Sequence, residues 1–153
     1  MAYNNLIKIK YYNNIFNKLQ QIFIGSLTKK GKKIVALKNW FELKKLIKFK
    51  VKKEANLLIL IAILNSLIKV NFIKKRFGSV KKEIPVFLNF ERQIKFAVRS
   101  FLDLSTTSKG IFINKLVNLI CFTYKRKGAI MKKNFLLYKK AIDNKVLLSF
   151  IRR

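Results

Sequence analysis

The chain has 153 residues, with 35 Lys+Arg against 6 Asp+Glu, no His and one Cys, for a formal charge of +29. Without His there is no Ser-His-Asp triad, His-metal site or imidazole acid–base chemistry, and the single Cys121 excludes a disulfide framework or Cys-rich zinc site. The acids Glu42, Glu54, Glu83, Glu91, Asp103 and Asp143 are no closer than eight residues apart, so no local carboxylate pair suggests an active site or a bound metal. The expectation is a protein that is not an enzyme and carries no cofactor.

A hydrophobic content of 51% is far too high for a disordered basic tail. A compact fold with this charge repels itself unless a polyanion neutralises it. The sequence therefore describes an apolar core wrapped in positive charge. Cys121 sits in the apolar run Leu119-Ile120-Cys121-Phe122 and reads as a buried, inert thiol.

Residues 1–14 are polar, aromatic and basic and read as an N-terminal arm. They lack the apolar core and cleavage site of a secretory signal, which fits a protein made in the compartment where it works. The remainder, 15–153, reads as one helical domain. Ile15, Phe16, Leu19, Ile22 and Phe23 predict a first helix over about 15–28. The basic run Lys29 to Lys33, broken by Gly31, ends it. A second helix follows, with Ile34, Val35, Leu37, Phe41 and Leu46 assigned to its apolar side. Lys32, Lys33, Lys38, Lys44, Lys45 and Lys48 are assigned to its polar side. The Gly25 to Lys33 stretch is no phosphate loop: five residues separate the glycines, and Lys33 stands where a hydroxyl is needed.

After a linker over Lys50 to Glu54, a third helix runs to about Lys69. Its core, Leu57 to Leu64, is eight uninterrupted apolar residues, short for a bilayer span of about 20. Flanking lysines keep a membrane-anchored reading open as the alternative. Residues of about 70–88 then read as a β-hairpin, with Gly78 at the turn and Pro85 near the end of an edge strand. A lone hairpin is marginal in water, so this one must pack on helices or on a partner.

A fourth helix is expected over about 91–104, with Ile94, Ala97, Val98, Phe101 and Leu102 inside and Arg92, Lys95 and Arg99 outside. Ser105 to Gly110 reads as a loop. A fifth helix is expected over about 111–126, stopped by Gly128, and a sixth over Phe135 to Phe150 with Leu136, Tyr138, Ala141 and Leu148 apolar. The fold class is mainly α: six helices with a protruding hairpin between the third and fourth.

Basic residues gather where elements begin and end: Lys29 to Lys33, Lys74 to Arg76, Lys81-Lys82, Lys125 to Lys127, Lys132-Lys133. With almost no acids interleaved, nucleic acid is the favoured partner, and an anionic membrane surface is the competing one.

Four stretches together resemble the universal small-subunit ribosomal protein 7 family of bacterial and organellar type. They are Gly31-Lys32-Lys33 followed by Ala36; Asn65 and Val70, then Arg76-x-Gly78 and Ile84-Pro85-Val86; Arg92 and Arg99 with Ala97 between; and Gly128 to Lys133 followed by Asn144-Lys145. The likeness runs from about Leu19 to Lys145. The family commonly has Gly-Gly at the hairpin turn, where this chain has Gly78-Ser79.

The resemblance implies a structural component of the small-subunit head that binds the 3′ major domain of small-subunit rRNA and organises head assembly. The basic residues expected to anchor rRNA phosphates are Lys30, Lys32, Lys33, Arg92, Arg99, Lys109, Lys132, Lys133, Lys139 and Lys145. The resemblance also implies contacts to rRNA, tRNA or mRNA from Lys74, Lys75, Arg76, Gly78, Lys81 and Lys82, on a hairpin lining the exit-site tRNA and mRNA path. Protein neighbours in the family include the ninth and eleventh small-subunit proteins, and no membrane is involved. Tyr11 and Tyr12 are candidates for base stacking. The dominance of Lys, Asn, Ile, Leu and Phe follows AT-rich codons and resembles an organelle-encoded member, with the mitochondrial matrix ribosome as the expected location.

Overall fold

The computed structural model describes residues 16–107 and 110–145. The N-terminal arm, Tyr11, Tyr12, Lys109 and Leu148 lie outside them. The described residues form α1 (16–27), α2 (Lys33–Val51), α3 (Ala55–Ser66), β1 (Val70–Phe77), β2 (Val80–Phe87), α4 (Phe90–Thr107), α5 (Phe112–Tyr124) and α6 (Ala129–Asp143). Six helices with a hairpin between the third and fourth match the sequence expectation.

One apolar cluster draws on every helix, from Phe16 and Phe23 of α1 to Ile130 of α6. Helix α5 is its hub, touching α2, α3, α4 and α6. Phe23 meets Trp40 with ring centroids 5.0 Å apart, which locks α1 onto α2. The Leu57 to Leu64 run belongs to this core: Leu58, Ile59, Leu60, Ala62 and Ile63 are buried. Helix α3 has 12 residues, which reach about 18 Å, short of a hydrocarbon core of about 30 Å. Among the described residues, no helix is long and apolar enough to cross a membrane.

The second helix turns a different face inward from the one expected. Ala36, Trp40, Leu43 and Ile47 are buried, whereas Ile34, Val35 and Phe41 are exposed. Trp40 explains the difference. Its large ring, with Leu43 and Ile47 at +3 and +7, removes more apolar surface from water than a stripe through Ile34 and Phe41 would. Lys44 accordingly leaves the solvent face. Its Nζ lies 5.3 Å from the Phe16 ring centroid and 5.2 Å from that of Trp40, and burial lowers its pKa.

Helix ends also move. Helix α3 stops at Ser66, and α4 continues through Thr107, across residues expected to be a loop. Ser105 and Thr106 satisfy their hydroxyls on carbonyls three residues back, so they fit inside the last turn. Helix α5 ends at Tyr124, and its stop is Arg126 rather than Gly128. Arg126 adopts φ 54°, its N–H donates to Thr123 O at 2.9 Å, and the Lys127 N–H donates to Phe122 O at 2.9 Å. That is the paired-bond ending of a left-handed helix terminus. Gly128, at φ 99° and ψ −174°, instead precedes the first residue of α6. The sixth helix thus starts at Ala129, well before Phe135, and buries Ile130 and Asn134 while Leu136 and Tyr138 are exposed.

Polar side chains fasten the joint between α3, α5 and α6. Asn65 Nδ2 donates to the carbonyls of Thr123 and Tyr124 at 3.3 Å, satisfying the end of α5. Asn134, buried, donates to Ser66 O at 3.0 Å. Cys121 is half-buried rather than buried as expected, and burial raises its thiol pKa.

Candidate nucleic-acid interface

The hairpin pairs β1 and β2 antiparallel, with Val70 opposite Phe87 and Phe77 opposite Val80. The turn is the two residues Gly78 and Ser79. Gly78 takes φ 58°, whereas Ser79 is not among the positive-φ residues. The turn therefore needs the glycine freedom only at its first position, and Ser79 is accommodated.

The base of the hairpin is apolar and anchored. Ile84 and Pro85 are buried, and α6 packs across the base. Lys140 Nζ donates to Glu83 Oε2 and lies 5.2 Å from the Phe72 ring centroid. The Lys69 N–H donates to Tyr138 Oη at 3.2 Å. This is the helical support that an isolated hairpin lacks.

The far half is cationic. Lys74, Lys75, Arg76, Lys81 and Lys82 are all exposed. The register sets Lys75 directly opposite Lys82 and Arg76 opposite Lys81. Like charges facing across a ladder are destabilising, and Glu83 is the one acid on these strands. It pairs with Lys140 and, at 3.8 Å, with Lys74, and these cations hold its carboxyl below the ordinary value of 4.5. Facing Arg76 and Lys81 near the tip concentrate positive charge where an external anion can approach.

A second basic feature is an open cleft of about 440 Å³ between the α1–α2 turn and α4. Lys29 and Lys32 line it from one side, Arg99 and Asp103 from the other. The turn owes its shape to Lys30 at φ 51° and Gly31 at φ 74°. It delivers the start of α2, which has no side-chain cap, to the cleft rim. Uncapped N–H groups with adjoining lysines suit a phosphate oxygen.

The expected contact residues thus fall into separate groups. Lys32 and Arg99 share the cleft, with the exposed Lys30 and Lys33 beside it. Lys133 is half-buried and reaches Ser100 Oγ of α4 at 3.5 Å, which places it on the neighbouring surface. Arg92 and Lys139 are exposed and line neither feature, and Lys145 borders a groove between α6 and the hairpin base. Lys132 lies apart with Arg126 and Lys127 at the α5–α6 turn. The sequence reading missed a further group, Lys44, Lys45, Lys48, Lys52 and Lys53, at the corner of α2 and α3. Their signal was the density of lysines around the linker, and the corner geometry that gathers them was not legible. Among the described residues, no group of His, Cys, Asp and Glu is placed to hold a metal ion.

The profile of a family described as ribosomal protein S7p/S5e matches residues 3–145. The chain belongs to that family. Its members are structural ribosomal proteins and not enzymes. Two relatives of this family match over most of their length. The chain is 29% identical over 146 residues to small ribosomal subunit protein uS7c of Bigelowiella natans, covering 94% of this chain and 90% of the relative. It is 31% identical over 128 residues to small ribosomal subunit protein uS7 of Pelagibacter ubique, covering 83% and 82%. The match to this family spans the hairpin, the cleft and both turns that carry the basic clusters.

Proposed function

We propose that this chain is a structural protein of the small ribosomal subunit, that it binds small-subunit rRNA in the 3′ major domain, and that it helps to organise the subunit head. The observation that carries the reading is the unneutralised charge. Glu83 and Glu91 pair with lysines, while the cleft gathers Lys29, Lys32 and Arg99 around one acid, Asp103, and the hairpin sets Arg76 opposite Lys81. The names of both relatives supply the small subunit.

On this reading residues 15–153 act as one helical rRNA-binding domain and 1–14 as its arm. Lys30, Lys32, Lys33, Arg92, Arg99, Lys109, Lys132, Lys133, Lys139 and Lys145 contact rRNA. Lys74, Lys75, Arg76, Gly78, Lys81 and Lys82 present the hairpin to the exit-site tRNA and mRNA path. The ninth and eleventh small-subunit proteins are its neighbours. The AT-biased residue usage favours a mitochondrial ribosome and a gene in the organelle.

The physical mechanism is phosphate neutralisation with counterion release, so affinity falls steeply with salt. Six to ten phosphate contacts lose about 10³ to 10⁵ in affinity between about 50 and 200 mM salt, on the double-helix scale. Replacing Lys32 and Lys33 by Gln should weaken rRNA binding and flatten that slope by about one to two. An unchanged slope removes the cleft from the interface. Neutralising Lys74, Lys75 and Arg76 together should alter exit-site tRNA occupancy more than subunit assembly. A triple variant that fails to enter subunits contradicts that division of labour.

A further inference from the structure

We propose that the outer face of α2 is a second RNA surface, one that stacks unpaired bases on Phe41 and Phe49 and holds their phosphates with Lys38 and Lys45. This rests on the rRNA-binding reading above and deepens it. The buried residues Ala36, Trp40, Leu43 and Ile47 fix one side of the helix. At 100° per residue, the side opposite carries Ile34, Lys38, Phe41, Lys45 and Phe49.

This face is unlike an ordinary solvent face. Phe49 is 86% exposed and Phe41 62% exposed, although burying either ring would be worth about 2 kcal/mol. Lys38 and Lys45 lie one turn either side of Phe41, and Lys45 lies one turn before Phe49. Among the described residues none of these lysines makes an ion pair, and Glu42 is the only acid on the flank of the stripe. The two rings are eight residues apart, about 12 Å along the axis, a distance two extended nucleotides can span.

The alternation decides the class of partner. A protein interface gathers its apolar residues into a contiguous core from which Lys is depleted, and a membrane-surface helix keeps its apolar face unbroken. Here every aromatic is separated from the next by Lys. Phe41 between two lysines, and Phe49 one turn beyond the second of them, is the arrangement for bases stacked between phosphates, as in single-strand binding surfaces.

The test uses the full chain and its cognate small-subunit rRNA. Base stacking on an aromatic is worth about 1–3 kcal/mol, so Phe49→Ala and Phe41→Ala should each reduce affinity roughly fivefold to 100-fold. The salt slope should not change. Lys45→Gln should reduce the slope by about one. Because both rings are exposed, circular dichroism should report an intact fold. Benzoylphenylalanine placed at position 49 should crosslink to rRNA in assembled subunits. If the Phe variants bind like the parent while the Lys32, Lys33 variant is weakened, the α2 surface is refuted and rRNA binding stands. A crosslink to protein, or none, also overturns the proposal. If the parent chain itself does not bind the rRNA, the functional reading fails and this one with it.

Discussion

At the scale of single residues, three non-glycine residues among those described adopt left-handed backbone: Lys30, Lys52 and Arg126. Such backbone costs a residue with a Cβ about 1–2 kcal/mol. All three are basic and follow a helix, where the carbonyl ends favour a cation. Gly128 is different, because no other residue tolerates its backbone. At φ 99° an added Cβ would also meet the Phe122 Cβ at 3.1 Å. Gly128→Ala should therefore lower unfolding free energy by about 1–3 kcal/mol. Gly25→Ala, on helix α1 with nothing within 4 Å of the new methyl, should raise it by about 0.5–1 kcal/mol. Chemical denaturation of both variants beside the parent checks the pair, and equal midpoints would contradict it. Gly128 was legible as a punctuating glycine, but its job was not. Sequence reading made it the stop of α5, because a glycine there is the common ending, whereas the hydrogen bonds at Arg126 show the helix already closed.

At the scale of elements, the hairpin illustrates how a marginal unit is held. Its base is fastened to α6 through Glu83, Lys140 and Phe72, and its tip carries facing cations. The Glu83 carboxyl is depressed first by the Lys140 hydrogen bond and then by the Lys140 charge. A depressed carboxylate contributes stability that is present above its ordinary value of 4.5 and lost as pH falls through the lowered one. Lys140→Gln should shift the Glu83 titration upward toward 4.5 and make the hairpin–α6 contact insensitive to pH in that window. Carboxyl-resolved NMR titration reads both, and an unmoved Glu83 curve would show that Lys140 is not its partner in solution. The hairpin and its turn were legible because two short strand-like runs flank Gly78, whereas the register required the structure. The inward face of α2 was not. Apolar residues occur all round that helix, so periodicity left two possible stripes, and only the packing of Trp40 against Phe23 chose between them. The same ambiguity concealed the exposed Phe41 and Phe49.

At the scale of the whole molecule, a charge of +29 is borne by a small helical core. Three ion pairs among the described residues do little against it. Screening should therefore stabilise the isolated chain: its thermal midpoint should rise between about 50 and 500 mM NaCl, as the Debye length contracts from roughly 14 to about 4 Å. A falling midpoint would mean that specific ion pairs outweigh self-repulsion. From charge and apolar content the sequence led to the expectation of an anionic partner. The grouping of Lys32 with Arg99 in one cleft, and of five lysines at the α2–α3 corner, required the tertiary structure.

The most direct test of the central claim is where the native chain sediments in a lysate of its source after a high-salt wash. The account predicts co-migration with the small ribosomal subunit, lost when RNase digests the rRNA. Recovery in a membrane fraction free of rRNA would contradict it.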